Sequence, residues 1–245
     1  MGVREERHGD VAEIVLDWPE VRNALGPAEG AELRVALTRA ADDSKVGAIL
    51  LSASGSAFCS GGKLPEIVEL AQGGSEAVRT AVYGEFQGVF RALQSSPIPV
   101  IAAVDGPAIG FGCDLALAAN ATFIGQAGWL AQGWMRAGLI PATGGTLYTM
   151  RRGGPLAIWR LLAADRVDGP TAERWGLAIA CEDAREAALA MASKFAAMPR
   201  EPLKALVALS RISDPEAHLA CALDYQTGFL TDPDFAAAAR ALLAR

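Results

Sequence analysis

The chain has 245 residues, of which 51% are apolar, and its formal net charge is −6. This composition is enough to bury a large core in one domain, with or without a helical extension. No run of basic residues is longer than Arg151-Arg152, so we expect no nucleic-acid partner. No uncharged apolar stretch has the length that spans a bilayer, so we expect no membrane partner either.

Cysteine and histidine usage narrows the chemistry further. The four cysteines, at positions 59, 113, 181 and 221, form no C-x-x-C pair, and the histidines are His8 and His218 alone. This supply disfavours a disulfide framework, a metal site and a Ser-His-Asp triad. The N-terminus has no apolar leader segment, and together with the lack of paired cysteines this predicts a reduced, cytoplasmic protein. We also expect no permanently bound cofactor.

The first half of the chain alternates predicted strands and helices. Apolar patterning predicts strands at 11–17, 46–53, 99–104 and 121–125, and helices at 27–41, 77–93 and 113–119. After about residue 143 the predicted elements are nearly all helices, several of them with a proline near the start. They lie at 143–151, 155–164, 170–175, 184–197, 200–210, 214–228 and 233–244. This order predicts an α/β core followed by a helical layer.

Two glycine-rich turns each follow a buried strand and precede a helix. They read AFCSGGKL (57–64) and DGPAIGFGCDLALA (105–118), and a third loop, GLIPATGG (138–145), opens a later helix. Glycine lets a backbone approach a ligand closely, and N–H groups at a helix start carry partial positive charge. Each turn alone is also compatible with an ordinary tight connection. Together they predict two N–H donors that converge on one oxygen atom.

Five segments carry a resemblance to a known family. They are WPEVRNAL (18–25), AFCSGGKL, IPVIAAVDGPAIGFGCDLALAAN (98–120), GLIPATGG and DRVDGPTAERWGLA (165–178). In order and spacing they resemble the crotonase family, also called the enoyl-CoA hydratase/isomerase family. The resemblance implies an α/β fold, a crotonase-type spiral of β-β-α repeats over residues 1–185. It also implies a C-terminal helical oligomerisation region at 186–245 and assembly as a homotrimer or a dimer of trimers.

The resemblance also implies the ligand and its contacts. The ligand is an acyl-CoA thioester, so coenzyme A enters as part of the substrate. The N–H groups of Gly62 and Phe111 form the oxyanion hole, and the Phe111 ring either narrows the acyl pocket or packs in the core. The backbone near four residues is implied to line the coenzyme A groove, with a solvated surface position as the alternative for the first: Arg22, Ala24, Ser60 and Leu64.

The acid–base residues depart from the family pattern. Hydratases of the family hold and activate water with two glutamates, which match Asp114 and Trp134 here. No Asp or Glu lies between Asp114 and Asp165, so no shift in alignment supplies a second carboxylate. This argues against ordinary two-glutamate hydration. Asp114 is either a single acid–base group or a helix-start acid, and Trp134 is either an aromatic wall of the acyl pocket or a core tryptophan.

These observations predict an enzyme that acts on an acyl-CoA through an enolate, as an isomerase, a lyase or an atypical hydratase. A catalytically silent acyl-CoA-binding protein is the alternative. Dehalogenation is disfavoured, because the nucleophilic aspartate of the family's dehalogenases would fall near Ala142. Lys63, in place of the family's usual acid, either meets a phosphate or faces solvent. Three further side chains are candidates to approach the pocket: Tyr83, Glu85 and Arg136.

Overall fold

The computed structural model describes residues 2–232, 235 and 240. The strands are β1 (Gly2–His8), β2 (Val11–Asp17), β3 (Ala48–Ala53), β4 (Val100–Val104), β5 (Pro107–Ile109), β6 (Ala121–Ile124), β7 (Trp129–Ala131), β8 (Val167–Asp168) and β9 (Ile179–Ala180). The first helices are α1 (Pro27–Asp42), α2 (Leu64–Ala71), α3 (Gly74–Ala77), α4 (Tyr83–Ser95) and α5 (Phe111–Ala118). The later helices are α6 (Gly145–Gly153), α7 (Pro155–Ala163), α8 (Gly169–Arg174), α9 (Ala184–Ala196), α10 (Arg200–Leu209) and α11 (Pro215–Thr231).

The main sheet has six strands in the order β1-β2-β3-β4-β6-β9, and a second sheet joins β5, β7 and β8. Strands β1 and β2 pair antiparallel, whereas each later neighbour in the main sheet pairs parallel. Parallel neighbours need a crossover, and helices supply it: α1 between β2 and β3, α5 between β4 and β6. The first glycine-rich turn lies in the connection from β3 to β4, which contains α2, α3 and α4, and the second lies in the connection from β4 to β6.

Apolar side chains cover both faces of the main sheet. Along β3, Ile49 and Leu51 belong to one buried cluster, and Ala48 and Leu50 belong to the other. This alternation follows from the two-residue period of a strand. The first cluster includes α1, α4 and α5, and the second includes three alanines of α9. Both faces are therefore closed, as parallel sheets require.

The described chain divides into two compact units, residues 1–197 and 198–245. Within the second unit α10 and α11 contact each other, and α11 has no buried residue. Leu219, Leu223 and Leu230 of α11 are all exposed. The role of residues 186–245 in oligomerisation stays a prediction. No helix of the described residues is long and apolar enough to cross a membrane.

The predicted elements agree with the structure in the interior and differ at short or polar segments. Strand β2 has the predicted bounds, and β3 begins at Ala48, two residues later than expected. The helix predicted at 77–93 is broken by a π-helical turn, Val78–Val82, and α4 follows that turn. Strands β1, β5, β7, β8 and β9 were not predicted. The helix predicted at 233–244 lies outside the described residues, apart from positions 235 and 240.

Candidate active site

The two glycine-rich turns lie side by side. The N–H of Cys59 donates to the Pro107 carbonyl at 3.1 Å, and the N–H of Ile109 donates to the Cys59 carbonyl at 2.9 Å. Helix α5 starts so close to this contact that a Cβ on Gly112 would lie 2.2 Å from the Cys59 carbonyl oxygen. No side chain fits there, so the glycine permits the close approach of α5 to the first turn.

Both predicted donors follow a glycine in the left-handed region. Gly61, before Gly62, has φ +112°, and Gly110, before Phe111, has φ +54°. Glycine adopts such backbone at little cost. The neighbours of Gly62 are paired with Leu25, since Gly61 accepts from its N–H and Lys63 donates to its carbonyl, both at 2.9 Å. Among the described residues, the N–H groups of Gly62 and Phe111 have no hydrogen-bond partner.

Both free N–H groups belong to residues that line one pocket of about 160 Å³. Its wall is almost entirely apolar and carries no charged side chain among the described residues. The lining residues are Ser60, Gly61, Gly62, Leu64, Ile67, Val82, Tyr83, Phe86, Ile109, Gly110, Phe111, Gly133, Trp134, Ala137 and Leu139. We call this cavity the acyl pocket.

A larger groove of about 500 Å³ adjoins the acyl pocket and shares Ser60, Gly62, Leu64 and Ile109 with it. Arg22 and Ala24 line the groove but not the acyl pocket, so the groove brings together the four residues predicted to line a coenzyme A site. Their contact with coenzyme A stays a prediction.

The ring of Phe111 packs in the core. It is fully buried, with its centroid 4.8 Å from that of Phe86 and 5.2 Å from that of Phe90. Phe90 in turn stacks on Tyr148 at 5.8 Å. Aromatic pairs at such distances add stability beyond the area that they bury. Of the two alternatives for this ring, core packing is therefore the one observed, and Phe111 is also among the residues that line the pocket.

Asn23 organises the loop that carries Arg22 and Ala24, a role that the sequence analysis missed. It is fully buried and has φ +54°, a conformation that asparagine tolerates better than most residues. Its Oδ1 accepts from the Trp18 N–H at 2.8 Å, and its Nδ2 donates to the Ser54 and Ala57 carbonyls at 2.9 and 2.8 Å. The asparagine thereby ties this loop to the first glycine-rich turn.

The Asp114 carboxylate is completely buried and accepts three hydrogen bonds. Gln132 Nε2 donates to Oδ1 at 2.6 Å, and the Thr143 hydroxyl and the Trp134 indole N–H donate to Oδ2 at 2.6 and 3.2 Å. Burial raises the pKa of Asp114 to about 6, although these three hydrogen bonds act in the lowering direction. Gly145 makes room for the carboxylate, since a Cβ there would lie 1.8 Å from Oδ1.

Trp134 connects the acyl pocket to this buried carboxylate. Its indole lines the pocket and is only 8% exposed, while Asp114 is not among the lining residues. The tryptophan is therefore both a pocket wall and a donor to Asp114. Gln132 and Thr143 were not predicted as partners. The sequence offers one indication of such a role, which is that each is a polar residue within a largely apolar segment.

The other side chains that were predicted to approach the pocket have different surroundings. Tyr83 lines the acyl pocket. Glu85 instead pairs with Arg34 at 3.0 Å, and Arg136 pairs with Asp165. Lys63 forms an ion pair with Glu29, its side chain 26% exposed, so its ammonium is neither free nor fully solvated.

The two glycine-rich turns follow parallel strands of the main sheet, and the residues that carry the two free N–H groups line one apolar pocket. Such free donors beside an apolar cavity are suited to an acyl carbonyl that gains negative charge. The model of the enoyl-CoA hydratase/isomerase family matches residues 6–224. The chain belongs to the enoyl-CoA hydratase/isomerase family, and its fold is the crotonase fold.

Individual relatives agree with this assignment. A protein named as a probable enoyl-CoA hydratase of Mycobacterium tuberculosis is 36% identical over 238 residues, covering 93% of this chain and 91% of the relative. One of the same name from Rhodobacter capsulatus is 39% identical over 178 residues, covering 71% of this chain and 66% of the relative. The crystal structure of an enoyl-CoA hydratase from Mycobacterium smegmatis superposes with a TM-score of 0.88 at 27% identity, covering 99% and 96% of the two chains.

Proposed function

We propose that this protein acts on an acyl-CoA thioester by stabilising an enolate in a backbone oxyanion hole formed by the N–H groups of Gly62 and Phe111. The supporting observation is that both N–H groups are free and belong to residues that line one apolar pocket. Removal of an α-proton places negative charge on the thioester oxygen, and preorganised donors at that oxygen lower the barrier.

The shape of the site supports a division of the ligand into two parts. The coenzyme A portion lies along the groove near Arg22, Ala24, Ser60 and Leu64, and the acyl portion enters the acyl pocket. An apolar cavity of about 150 Å³ can hold a benzene molecule. The acyl pocket, at about 160 Å³, therefore suits a short acyl group.

The reaction is an isomerisation, a lyase reaction or an atypical hydration. Two-carboxylate hydration needs two acids at the substrate, and no carboxylate lines the acyl pocket among the described residues. We assign proton transfer to Asp114, whose pKa of about 6 suits a group that gives and takes protons near neutrality. Direct contact between Asp114 and the acyl group requires the Trp134 indole to turn away from the carboxylate.

We further infer that the protein works in the cytoplasm as a homotrimer or a dimer of trimers. The family resemblance and the exposed leucines of α11 support this assembly. Sedimentation of the full chain tests it, and a monomer would contradict it.

A pair of substitutions at one position tests the oxyanion hole. Phe111→Pro and Phe111→Ala both remove the ring, but only proline removes the N–H. Proline is tolerated at the first residue of a helix, where its missing N–H has no helical partner, and Phe111 is the first residue of α5. We expect Phe111→Pro to lower kcat by about 10²-fold or more relative to Phe111→Ala, the cost of one oxyanion donor. Equal kcat in the two folded variants would refute the oxyanion hole.

A silent acyl-CoA binder is the second candidate, and Trp134 in place of an acid favours it. Assays on a panel of enoyl-CoA and branched acyl-CoA thioesters separate the two functions. Turnover that is lost in Asp114→Asn, with thioester affinity unchanged, would exclude the silent binder. Binding without turnover across the panel would exclude the enzyme.

A further inference from the structure

Within the described part of the chain, one residue that lines the acyl pocket has a side-chain polar group without a hydrogen-bond partner. The Trp134 N–H donates to the Asp114 carboxylate, and the Ser60 hydroxyl donates to the Val21 carbonyl at 3.4 Å. Among the described residues, the Tyr83 hydroxyl forms no hydrogen bond, and Tyr83 lines the pocket. A donor in an apolar cavity costs free energy if it stays unpaired when a ligand displaces water.

The backbone before Tyr83 is built to present this side chain. The π-helical turn Val78–Val82 ends directly before Tyr83, and it inserts one extra residue into the helical register. Such turns are often found at functional sites. The result places Val82, Tyr83 and Phe86 together on the pocket wall. The Tyr83 ring meets that of Phe86 edge-on, with centroids 6.3 Å apart.

The surroundings keep the Tyr83 hydroxyl protonated. Burial raises its pKa, and the negative charge of Asp114 raises that pKa further. A neutral phenol offers one O–H donor.

We propose that the Tyr83 hydroxyl donates a hydrogen bond to an oxygen atom on the acyl group of the substrate. The preferred ligand is then an acyl-CoA thioester whose short acyl chain carries a hydroxyl or oxo substituent, in place of a plain hydrocarbon chain. This inference rests on the proposed function, since it assumes that the acyl group of a thioester occupies the pocket.

The experiment compares two thioesters that differ in one oxygen, 3-hydroxybutyryl-CoA and butyryl-CoA. Their dissociation constants are measured by calorimetry for the wild type, Tyr83→Phe and Tyr148→Phe. Tyr148 is the matched control, because it is a largely buried tyrosine that does not line the acyl pocket. We expect the wild type and Tyr148→Phe to prefer the hydroxylated thioester by about tenfold, the worth of one hydrogen bond. We expect Tyr83→Phe to lose that preference and to bind butyryl-CoA as the wild type does.

Each outcome is decisive. A preference that survives in Tyr83→Phe, or one that is absent from the wild type, overturns the role of Tyr83 and leaves the proposed function standing. Failure of the wild type to bind either thioester overturns the proposed function and this inference with it. Thermal unfolding of the three proteins verifies that each is folded.

Discussion

The indole N–H of Trp134 donates to Asp114 Oδ2 over 3.2 Å, so the two residues that we predict to occupy the positions of the hydratase glutamates touch each other. In a two-carboxylate site these positions would both face a water molecule. Here one of them is a donor that closes the other off from the pocket. Several measurable consequences follow from this contact and from the contacts around it.

Replacing Asp114 by asparagine removes a pH-dependent contribution to stability. The pKa of Asp114 is raised from 3.8 to about 6, so between these values the folded state holds more protons than the unfolded state. The unfolding free energy therefore falls as pH rises from about 4 to about 6 and is level above that window, with a total change of about 3 kcal/mol. Urea denaturation from pH 4 to 8 measures this as the difference between wild type and Asp114→Asn. A difference that is independent of pH would show that Asp114 titrates normally.

Thr143 controls the same titration through its hydroxyl. Thr143→Val removes the 2.6 Å donor to Oδ2, so we expect the pKa of Asp114 to rise above 6. The unfolding free energy of this variant then continues to fall at pH values where that of the wild type is already level. At neutral pH the lost bond to a charged acceptor costs about 1.5–3 kcal/mol. Thr143→Ser keeps the hydroxyl and is the control. The same denaturation series would contradict this role if the valine and serine variants gave the same pH profile.

Gly112 sets the spacing between the two donors. In Gly112→Ala the new Cβ would lie 2.2 Å from the Cys59 carbonyl oxygen, so α5 must move away from the first turn. A shift of about 1 Å in catalytic geometry can lower turnover about 10²-fold. Gly84→Ala is the control, since Gly84 is helical and its nearest neighbouring atom is 3.8 Å away. We expect that variant to gain about 0.5–1 kcal/mol in stability with kcat unchanged. Steady-state kinetics measures kcat for both variants. Equal kcat in Gly112→Ala and Gly84→Ala would show that turnover does not depend on the close contact between Gly112 and the first turn.

Arg185 on α9 compensates a buried charge in the sheet. Its guanidinium donates to both oxygens of Glu13, at 2.7 and 2.6 Å, and Glu13 on β2 is completely buried. Arg185→Met leaves the Glu13 carboxylate with Ser52 and His8 as its remaining partners, each at 2.6 Å. Because the Arg185 side chain is itself 48% exposed, we expect the substitution to cost about 1.5 kcal/mol of unfolding free energy, the worth of a hydrogen bond to a charged group. The double variant Glu13→Gln, Arg185→Met should regain much of that loss. Chemical denaturation decides, and additive losses in the double variant would argue against coupling.

The fold was predictable where burial imposes a pattern. Strand β2 reads VAEIVLD, in which most residues are apolar and buried, and its bounds followed from that pattern. Strand β1 reads GVREERH and has no apolar pattern, because it is an edge strand held by its antiparallel pairing with β2. Strands β8 and β9 have two residues each, too few for any period to show. Their existence depends on partners that are distant in sequence.

The candidate site divides in the same way. The positions of Gly62 and Phe111 at strand-to-helix turns depend only on residues nearby in the sequence, and the glycines of these turns make them recognisable. The partners of Asp114 are not local: Gln132, Trp134 and Thr143 lie 18, 20 and 29 residues further along the chain. The direction of the Phe111 ring likewise depends on Phe86 and Phe90 of another helix. No spacing rule along the sequence reaches such contacts.

The residues that line the acyl pocket also disfavour acyl chains that carry a negative charge. No cation stands among its described lining residues, and the nearby ammonium of Lys63 is already paired with Glu29. An acyl chain that ends in its own carboxylate would lose hydration on entry, gain no counter-ion, and meet the field of Asp114 behind the indole. Dicarboxylic thioesters should therefore be rejected before any proton moves.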